Sequence, residues 1–148
     1  WKTSSTDNNI TIYINNDYKD KYNYTIDWGD ESIEKNIKDD ITHTYASEGN
    51  HTVKISGEFP AMRTIFRNVN SSTISQLDEE RKNNAKQLQK VTQWGDIKWS
   101  SFYNAFAACS NMDITAIDTP SLSDVTNTQG MFFGTSNLKG NKYFNDWD

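Results

Sequence analysis

Two aspartates beside a glycine are the first residues whose types and spacing suggest chemistry. Asp27 and Asp30 flank Gly29 within the segment Asp27-Trp28-Gly29-Asp30. Paired carboxylates at a turn can bind Ca²⁺, or act as general acid and base. Aspartates at turns also commonly accept hydrogen bonds from their own backbone. No later Asp-rich segment matches a calcium loop, so we favour the turn-capping role and keep a metal site at Asp27 and Asp30 as the weaker hypothesis.

Other nucleophiles and bases are few. His43 and His51 are the only histidines, and Cys109 is the only cysteine. Neither histidine has a Glu-x-x-His companion or a nucleophile elbow, and both fall at inward-facing positions of predicted strands. Cys109 aligns with Thr135 in the repeat described below, which indicates a small packed side chain. A single cysteine also excludes an intrachain disulfide and a multi-cysteine zinc site. We therefore expect no catalytic residue, no cofactor and no enzyme.

Aromatic side chains are the stronger candidates for ligand contact. Rings on a protein surface can stack on sugars or anchor a protein partner, although core packing is the favoured explanation of each ring taken singly. The aromatic candidates of the second half are Trp94, Trp99, Phe102, Phe133 and Trp147. Trp94 and Trp147 lie among turn residues, so we predict that these two are the more exposed. We take Trp94, Trp99 and Trp147 as the ligand-contact residues.

Length and charge narrow the class of protein. The 148 residues suffice for one medium domain or two small ones. A net charge of −5, without clustered Lys or Arg, disfavours nucleic acid as a partner. No apolar run approaches the roughly 20 residues of a membrane-spanning helix, so we expect no membrane insertion. Because the chain begins at Trp1 without Met, we expect a fragment whose signal or anchor lies elsewhere.

Period-two alternation of apolar residues predicts that the first sixty residues are all-β. The turn residues between the alternating segments recur at the spacing of a β-sandwich. They lie at Asn15-Asn16-Asp17, Gly29-Asp30, Lys38-Asp39-Asp40 and Gly49-Asn50. The alternating segments are Ile10–Ile14, Tyr22–Trp28, Ile41–Tyr45 and His51–Ile55.

The pattern changes at Pro60, where we place a domain boundary. Beyond it, helical periodicity predicts a helix from about Ser75 to Lys90. Acidic residues near the start of this segment and lysines near its end suit the helix dipole. The residues of the predicted apolar face are Ile74, Leu77, Arg81, Ala85 and Leu88.

A repeat occupies the C-terminal half. The segment Phe106–Met112 superposes residue by residue on Phe132–Leu138, and a weaker earlier copy ends at Leu88. A period of roughly 20–29 residues is typical of a leucine-rich-repeat-like solenoid, whose coils bury their faces against each other. Asn111 and Asn137 are predicted to be buried turn residues whose amides bond the backbone of an adjacent coil.

The first half resembles the polycystic-kidney-disease (PKD) domain. The segment Tyr24-Thr25-Ile26-Asp27-Trp28-Gly29-Asp30-Glu31, followed by His43-Thr44-Tyr45 and by Gly49-Asn50-His51-Thr52-Val53, fits that family's pattern. Glu31 stands where the family usually has a second glycine, and His51 stands where it usually has tyrosine. The resemblance covers about residues 8–58. It implies an immunoglobulin-like β-sandwich that serves as a rigid extracellular spacer or protein-contact module.

The second half resembles the BspA-type leucine-rich-repeat surface proteins of bacteria. The resemblance rests on Gln93–Trp99, Ala105–Met112, Leu122–Asn127 and Met131–Leu138. Ala108, Thr128 and Thr135 depart from the family, which usually has glycine, methionine and cysteine there. The chain ends at Asn145-Asp146-Trp147-Asp148, where that pattern would open another repeat.

Together these patterns predict a fold that is mainly β with a minor helical part. We expect a PKD-like, immunoglobulin-like β-sandwich over residues 1–59 and a short leucine-rich-repeat-like solenoid over residues 60–148, truncated at its C-terminus. The resemblances imply a non-enzymatic adhesin or lipoprotein, extracellular or at the bacterial cell surface. Its partner would be a host or bacterial surface protein, or a glycan. The alternative is a carbohydrate-binding or spacer module of a larger secreted hydrolase.

Overall fold

The computed structural model describes residues 1–65 and 79–147, and within these ranges the fold is mainly β, as predicted. The strands are β1 (Lys2–Thr3), β2 (Asn9–Ile12), β3 (Asn23–Asp27), β4 (Ile33–Ile37), β5 (Ile41–Thr44), β6 (Gly49–Asn50), β7 (Lys54–Glu58), β8 (Lys90–Val91) and β9 (Asp113–Ile114). The helices are α1 (Glu79–Gln87) and the 3-10 helices Asn16–Lys21 and Lys142–Asp146.

The strands pair in four small sheets. Strand β1 pairs with β6 and β2 with β5, while β3 lies between β4 and β7. All of these pairs are antiparallel. Strands β8 and β9 are parallel, with Lys90 opposite Asp113. The parallel pair lies in the segment where the sequence contains its repeat.

The predicted alternation of buried and less buried residues is confirmed in β3, whereas in β2 the intervening Thr11 is buried as well. Ile10 and Ile12 are buried in β2, and Tyr24 and Ile26 are buried in β3. Successive residues of a strand point to opposite faces, so these side chains share an inward direction. Tyr24 packs edge-on against Phe59, with ring centroids 5.0 Å apart. Such edge-to-face pairs add to the stabilisation from burial.

One turn prediction is wrong. Gly49 and Asn50 form strand β6 instead of a turn, and the following strand begins only at Lys54. The cause is the pairing with β1, where the Gly49 N–H also donates to Thr3 Oγ1 over 3.1 Å. Lys2 and Thr3 therefore pair with backbone groups of Gly49 and Asn50, which the sequence pattern had assigned to a turn.

Helix α1 confirms most of the described part of the predicted helix, but the predicted end at Lys90 is wrong, because Lys90 pairs with Asp113 in strand β8. The helix begins at Glu79 and ends at Gln87, whereas Ile74 and Leu77 of the predicted apolar face lie outside the described residues. Ala85 and Leu88 are buried, as that face predicts. The helix contacts the strands of the first half through polar groups that the periodicity did not indicate.

Asn84 of α1 completes the hydrogen bonding of β2. Its Oδ1 accepts from the Thr11 N–H over 2.7 Å, and its Nδ2 donates to the Thr11 carbonyl over 2.8 Å. One amide thus satisfies both backbone groups of Thr11 on an edge of β2 that none of the described strands covers. Nearby, the Arg81 guanidinium lies 3.7 Å from the centroid of the Tyr13 ring.

Backbone hydrogen bonds recur 26 residues apart, which is the distance between Phe106 and Phe132 in the two copies of the repeat. In the first copy four N–H groups donate to the carbonyl three residues earlier, at Ala105, Ala107, Cys109 and Met112. In the second copy the corresponding donors are Met131, Phe133, Thr135 and Leu138. The two copies therefore follow the same path through their turns.

The two copies are also joined to each other. The N–H groups of Phe102, Asn104, Phe106 and Ala108 donate to the carbonyls of Asn127, Gln129, Met131 and Phe133. The rings of Phe106 and Phe132 stack, with centroids 5.9 Å apart and planes inclined by 11°. Corresponding segments of the two copies consequently lie side by side.

The turn asparagines bond as predicted but are not buried. Asn111 Nδ2 donates to the Lys86 carbonyl over 2.9 Å, and Asn137 Nδ2 donates to the Asn111 carbonyl over 3.2 Å. Both residues are exposed, so the expectation of burial is wrong. The amides reach carbonyls at the edge of the preceding segment, where water still contacts them.

Buried apolar residues of both halves form one cluster. Strand residues such as Ile12 and Tyr24 belong to the same core as Leu88, Phe102 and Met112. The domain boundary at Pro60 stays a prediction, since a shared core is compatible with either description. Within residues 1–65 and 79–147, none of the helices has the length and apolar character needed to span a lipid bilayer.

Candidate functional site

Asp27 and Asp30 are both engaged in the turn after β3. Asp27 Oδ1 accepts from the Gly29 N–H over 2.9 Å, and Asp30 Oδ1 accepts from the Ser32 N–H over 3.2 Å. The second oxygen of Asp30 lies 2.7 Å from His43 Nε2. This hydrogen bond is the main cause that lowers the pKa of Asp30 below its ordinary value. The two carboxylates thus perform the capping role that the sequence favoured.

The metal hypothesis for these aspartates gains no further ligands. Among the residues that the structure describes, no group of three or more His, Cys, Asp or Glu side chains is arranged to hold a metal ion. Asp27 and Asp30 remain the weak metal candidates that the sequence indicated.

His43 and His51 belong to a column of aromatic rings. His43 stacks on Trp28, with centroids 4.9 Å apart, and meets Tyr45 edge-on. His51 stacks on Tyr45 with centroids 3.5 Å apart, and its Nε2 lies 2.8 Å from Thr3 Oγ1. Burial lowers the pKa of His51. Both rings therefore pack against aromatic neighbours. The Nε2 atom of His43 has Asp30 as its partner, and the Nε2 atom of His51 has Thr3.

Cys109 is a buried free thiol. Its side chain is fully inaccessible to solvent, and burial raises the pKa of the thiol well above its ordinary value. A nucleophilic cysteine needs a lowered pKa and access to substrate. The packing role that the repeat alignment predicted for Cys109 fits these surroundings.

The three candidate tryptophans lie close together, but the predicted exposure of Trp94 is wrong. Trp94 is 5 % exposed and Trp99 is 8 % exposed, with ring centroids 6.2 Å apart and planes at 85°. Trp147 is half-buried and packs edge-on against Trp94 at 5.3 Å. Phe102 is also buried, and Phe133 is half-buried. The candidate ligand-contact residues thus form one aromatic cluster.

Asp118 explains why Trp94 points inward. The carboxylate of Asp118 accepts from the Trp94 N–H at 3.1 Å and from the Gly95 N–H at 2.8 Å. These bonds hold the turn in which Gly95 adopts a φ of 66°. Asp118 therefore holds the backbone of a turn whose Gly95 is exposed while the Trp94 indole is buried. Asp118 was not predicted from the sequence, although it lies 24 residues after Trp94, the same distance that separates Leu88 from Met112 in the repeat.

Trp94 and Trp99 line a cavity of about 130 Å³. Its walls come from both halves of the chain and are mostly apolar. They include Val53, Ile55 and Phe59 from the first half, and Trp94, Trp99 and Phe106 from the second. Among the described residues of this lining, Lys90 has the one charged side chain, and that residue is exposed.

Two buried indole nitrogens of the aromatic cluster have no hydrogen-bond partner among the residues that the structure describes. Trp94 Nε1 and Trp99 Nε1 are buried without a hydrogen-bond acceptor in the described part of the chain. Trp28 differs, because its Nε1 donates to Glu34 Oε1 over 3.1 Å. The sequence did not predict that residues of the first half line this cavity, since no motif connects β7 with the tryptophans. No protein-family model, curated protein or solved structure matches this chain.

Proposed function

We propose that this chain is a non-enzymatic recognition module of a bacterial surface or secreted protein. In this proposal a PKD-like β-sandwich over residues 1–59 adjoins a BspA-like leucine-rich-repeat segment over residues 60–148. Both resemblances imply extracellular modules that contact other proteins. The recurrence of the same turn hydrogen bonds in both copies of the repeat is the observation that carries the proposal.

Stacked coils account for that recurrence. In a solenoid each coil bonds its neighbour at a fixed sequence offset, so contacts recur along the chain. The hydrogen bond from the Leu88 N–H to the Ala85 carbonyl has its equivalent in the first copy, from Met112 to Cys109. This supports the weaker earlier copy that ends at Leu88. The earlier segment shares this one turn hydrogen bond with the two copies, which favours a short solenoid over two similar turns.

A β-sandwich would account for the way in which the strands of the first half share one core. The inward faces of β2 and β3 contribute Ile10, Ile12, Tyr24 and Ile26 to one core, although the two strands belong to different sheets. A core shared by side chains of two sheets is expected of a β-sandwich. The arrangement supports the PKD-like assignment and suits a rigid module.

The repeat segment also offers an exposed apolar side chain. Ile117 is 74 % exposed and follows β9, two residues beyond the exposed Thr115. Ile33, at the start of β4, is 55 % exposed and lies in the first half. Exposed apolar residues that a partner covers can dominate the energy of an interface. We propose that the repeat segment, with Ile117, contacts the partner protein.

A binding screen tests this function. The purified chain is applied to immobilised extracellular-matrix proteins, bacterial surface proteins and polysaccharides. We expect saturable binding to a protein, weakened about tenfold by Ile117→Asp, because a desolvated apolar anchor contributes about 1 kcal/mol or more. The matched variant Ile33→Asp should leave the affinity unchanged.

Two results would contradict the proposal. Retention on polysaccharides alone would favour a carbohydrate-binding appendage of a hydrolase. Equal losses for the two isoleucine variants would exclude the repeat segment as the specific contact surface. Circular dichroism of each variant shows whether a loss of binding merely reflects unfolding.

A further inference from the structure

Six backbone groups in and beside the first copy of the repeat bond the backbone of the second copy in a fixed order. The first is the Ser100 carbonyl, which accepts from the Thr126 N–H. Four N–H donors follow, and the last group is the Ser110 carbonyl, which accepts from the Asn137 N–H. The four donors belong to Phe102, Asn104, Phe106 and Ala108. The order along this edge is therefore acceptor, four donors, acceptor.

The equivalent backbone groups of the second copy have no hydrogen-bond partner among the described residues. They lie 26 residues later in the chain and begin and end with the carbonyls of Thr126 and Ser136. The N–H groups equivalent to the four donors belong to Thr128, Gly130, Phe132 and Gly134. All of these residues are exposed or partly exposed, so water reaches this edge, which we call the open edge.

An apolar side chain shows the same difference between the two copies. Phe106 is 3 % exposed and stacks on Phe132 of the second copy. Phe132 is only half-buried, although its ring also contacts those of Phe144 and Trp147. Neighbouring coils of a solenoid bury each other's apolar faces. A further segment beside the open edge would bury Phe132 in the way that the second copy buries Phe106.

We propose that the open edge binds a segment of a partner polypeptide that adopts the turn conformation of the repeat. The segment supplies four alternate carbonyls to the N–H groups and one N–H group to each of the two carbonyls. Backbone pairing of this kind gives affinity when a peptide adds to the edge of a sheet. A polyanion is the poorer occupant, because it has no N–H groups for the carbonyls of Thr126 and Ser136.

A second copy of this chain does not offer the matching edge. Its second copy of the repeat already uses the required carbonyls, and the equivalent carbonyls of the first copy lie against residues 60–64. Those carbonyls belong to Ser101, Tyr103, Ala105 and Ala107. Thr64 Oγ1 donates to the Ala107 carbonyl over 2.7 Å, and Ala61 pairs with Ser101. The partner is therefore a different polypeptide. This inference does not depend on Ile117, so it and the proposed function can fail separately.

A synthetic peptide that copies residues 119–141 tests the inference. Within the chain these residues carry the carbonyls and the two N–H groups that bond the first copy, so the peptide presents the required order. It is titrated into the ¹⁵N-labelled chain, and the backbone N–H resonances are followed by NMR. The matched control peptide has esters in place of the amides at Gly130 and Phe132. The esters make the carbonyls of Gln129 and Met131 weaker acceptors, and they remove only N–H groups without a partner among the described residues.

We expect the peptide to shift the resonances of the four N–H groups of the open edge saturably and to leave those of Phe102 and Phe106 unchanged. The ester peptide should bind about tenfold more weakly, because two of its carbonyls accept weaker hydrogen bonds. Equal affinities of the two peptides would overturn the backbone pairing. Absence of a saturable shift would overturn the site.

Two further results would contradict the choice of occupant. Shifts at Phe102 and Phe106 would show that the peptide displaces the second copy instead of adding to its open edge. Heparin serves as the polyanion probe, and we expect it to leave the resonances of the open edge unchanged. Saturable shifts of these resonances by heparin would overturn the assignment of a polypeptide partner.

Discussion

Ala108 adopts a backbone conformation that suits glycine. Its φ is 62°, and the equivalent residue of the second copy, Gly134, has a φ of 73°. An L-residue with a side chain is disfavoured in this left-handed region by roughly 1 kcal/mol. The BspA-like pattern usually has glycine at this position, so the departure at Ala108 carries a conformational cost.

Exchanging these two residues should therefore have opposite effects. We expect Ala108→Gly to raise the free energy of unfolding by about 0.5–1 kcal/mol and Gly134→Ala to lower it by about 1 kcal/mol. A Cβ at Gly134 would lie 3.7 Å from Ala108, so the loss would come from the backbone and not from a clash. Urea denaturation measures both. A destabilised Ala108→Gly variant would show that the methyl group matters more than the φ angle.

Asp113 holds the segment that follows the second copy. Its Oδ1 accepts from the N–H groups of Lys139 at 3.0 Å and Gly140 at 2.9 Å. Burial raises the pKa of Asp113, but hydrogen bonds from Gly140, Lys139 and Ile114 outweigh this and hold the pKa below its ordinary value of 3.8. The ionised form is therefore the one that the fold favours.

The lowered pKa of Asp113 determines how the stability of the fold depends on pH. A lowered pKa contributes stability that is complete above pH 3.8 and is lost as the pH falls through the lower pKa of the folded state. We expect Asp113→Asn to be less stable than the unmutated chain near pH 7, and the difference to shrink below pH 3.8. Urea midpoints from acidic to neutral pH measure this. A difference that does not depend on pH would exclude the charge as its cause.

Among the elements, α1 depends on one amide for its contact with β2. Removing Asn84 would leave the N–H and the carbonyl of Thr11 without partners, and Thr11 is a buried residue. We expect Asn84→Ala to lower the free energy of unfolding by about 2 kcal/mol. Asn83→Ala is the matched control, because Asn83 is exposed on the same helix. Similar losses in both variants would mean that helix propensity, and not the amide contact, determines the effect.

Elements differ in how well the sequence predicts them. Strands β2 and β3 are predictable because their alternating residues all face one core. The pair β1–β6 is not, because two-residue strands contain no period and their partners lie far apart in the chain. The polar attachment of α1 through Asn84 also leaves no apolar pattern to detect.

In the candidate site, too, some features were predictable from the sequence and others were not. The constant offset of the repeat predicted which segments correspond, and hydrogen bonds now join those segments. The direction of the Trp94 side chain was not predictable, because it depends on Asp118 in a later segment. Composition around Trp94 indicated a turn correctly but could not indicate which way the ring points.

At the scale of the whole molecule, the shared core predicts one cooperative unfolding transition. Residues of both halves belong to one apolar cluster, and Tyr22 Oη donates to the Ala61 carbonyl over 2.7 Å. Loss of either half would expose apolar surface of the other, so we expect both to unfold together. Far-UV circular dichroism reports all strands, while labelling of the buried thiol of Cys109 reports the repeat half.

These two measurements should give the same urea midpoint. Labelling of Cys109 at clearly lower urea than the loss of circular dichroism would show that the repeat half opens first. That outcome would support two independent units with a boundary near Pro60. The fully buried position of Cys109 makes its labelling a stringent test, because the thiol reacts only after local opening.

The hydrogen bonds between the two copies also determine how the molecule responds to tension. They follow one another along the chain, from Asn127 through Gln129 and Met131 to Phe133. A pull on the C-terminus first meets the packing of Trp147 on Trp94 and the hydrogen bonds of Asn141 to the Ile114 and Ala116 carbonyls. The contacts of Lys139 and Gly140 with Asp113 follow, and these backbone bonds come afterwards, in reverse sequence order. The load therefore acts on a few bonds at a time, and the second copy should peel away in small steps at low force.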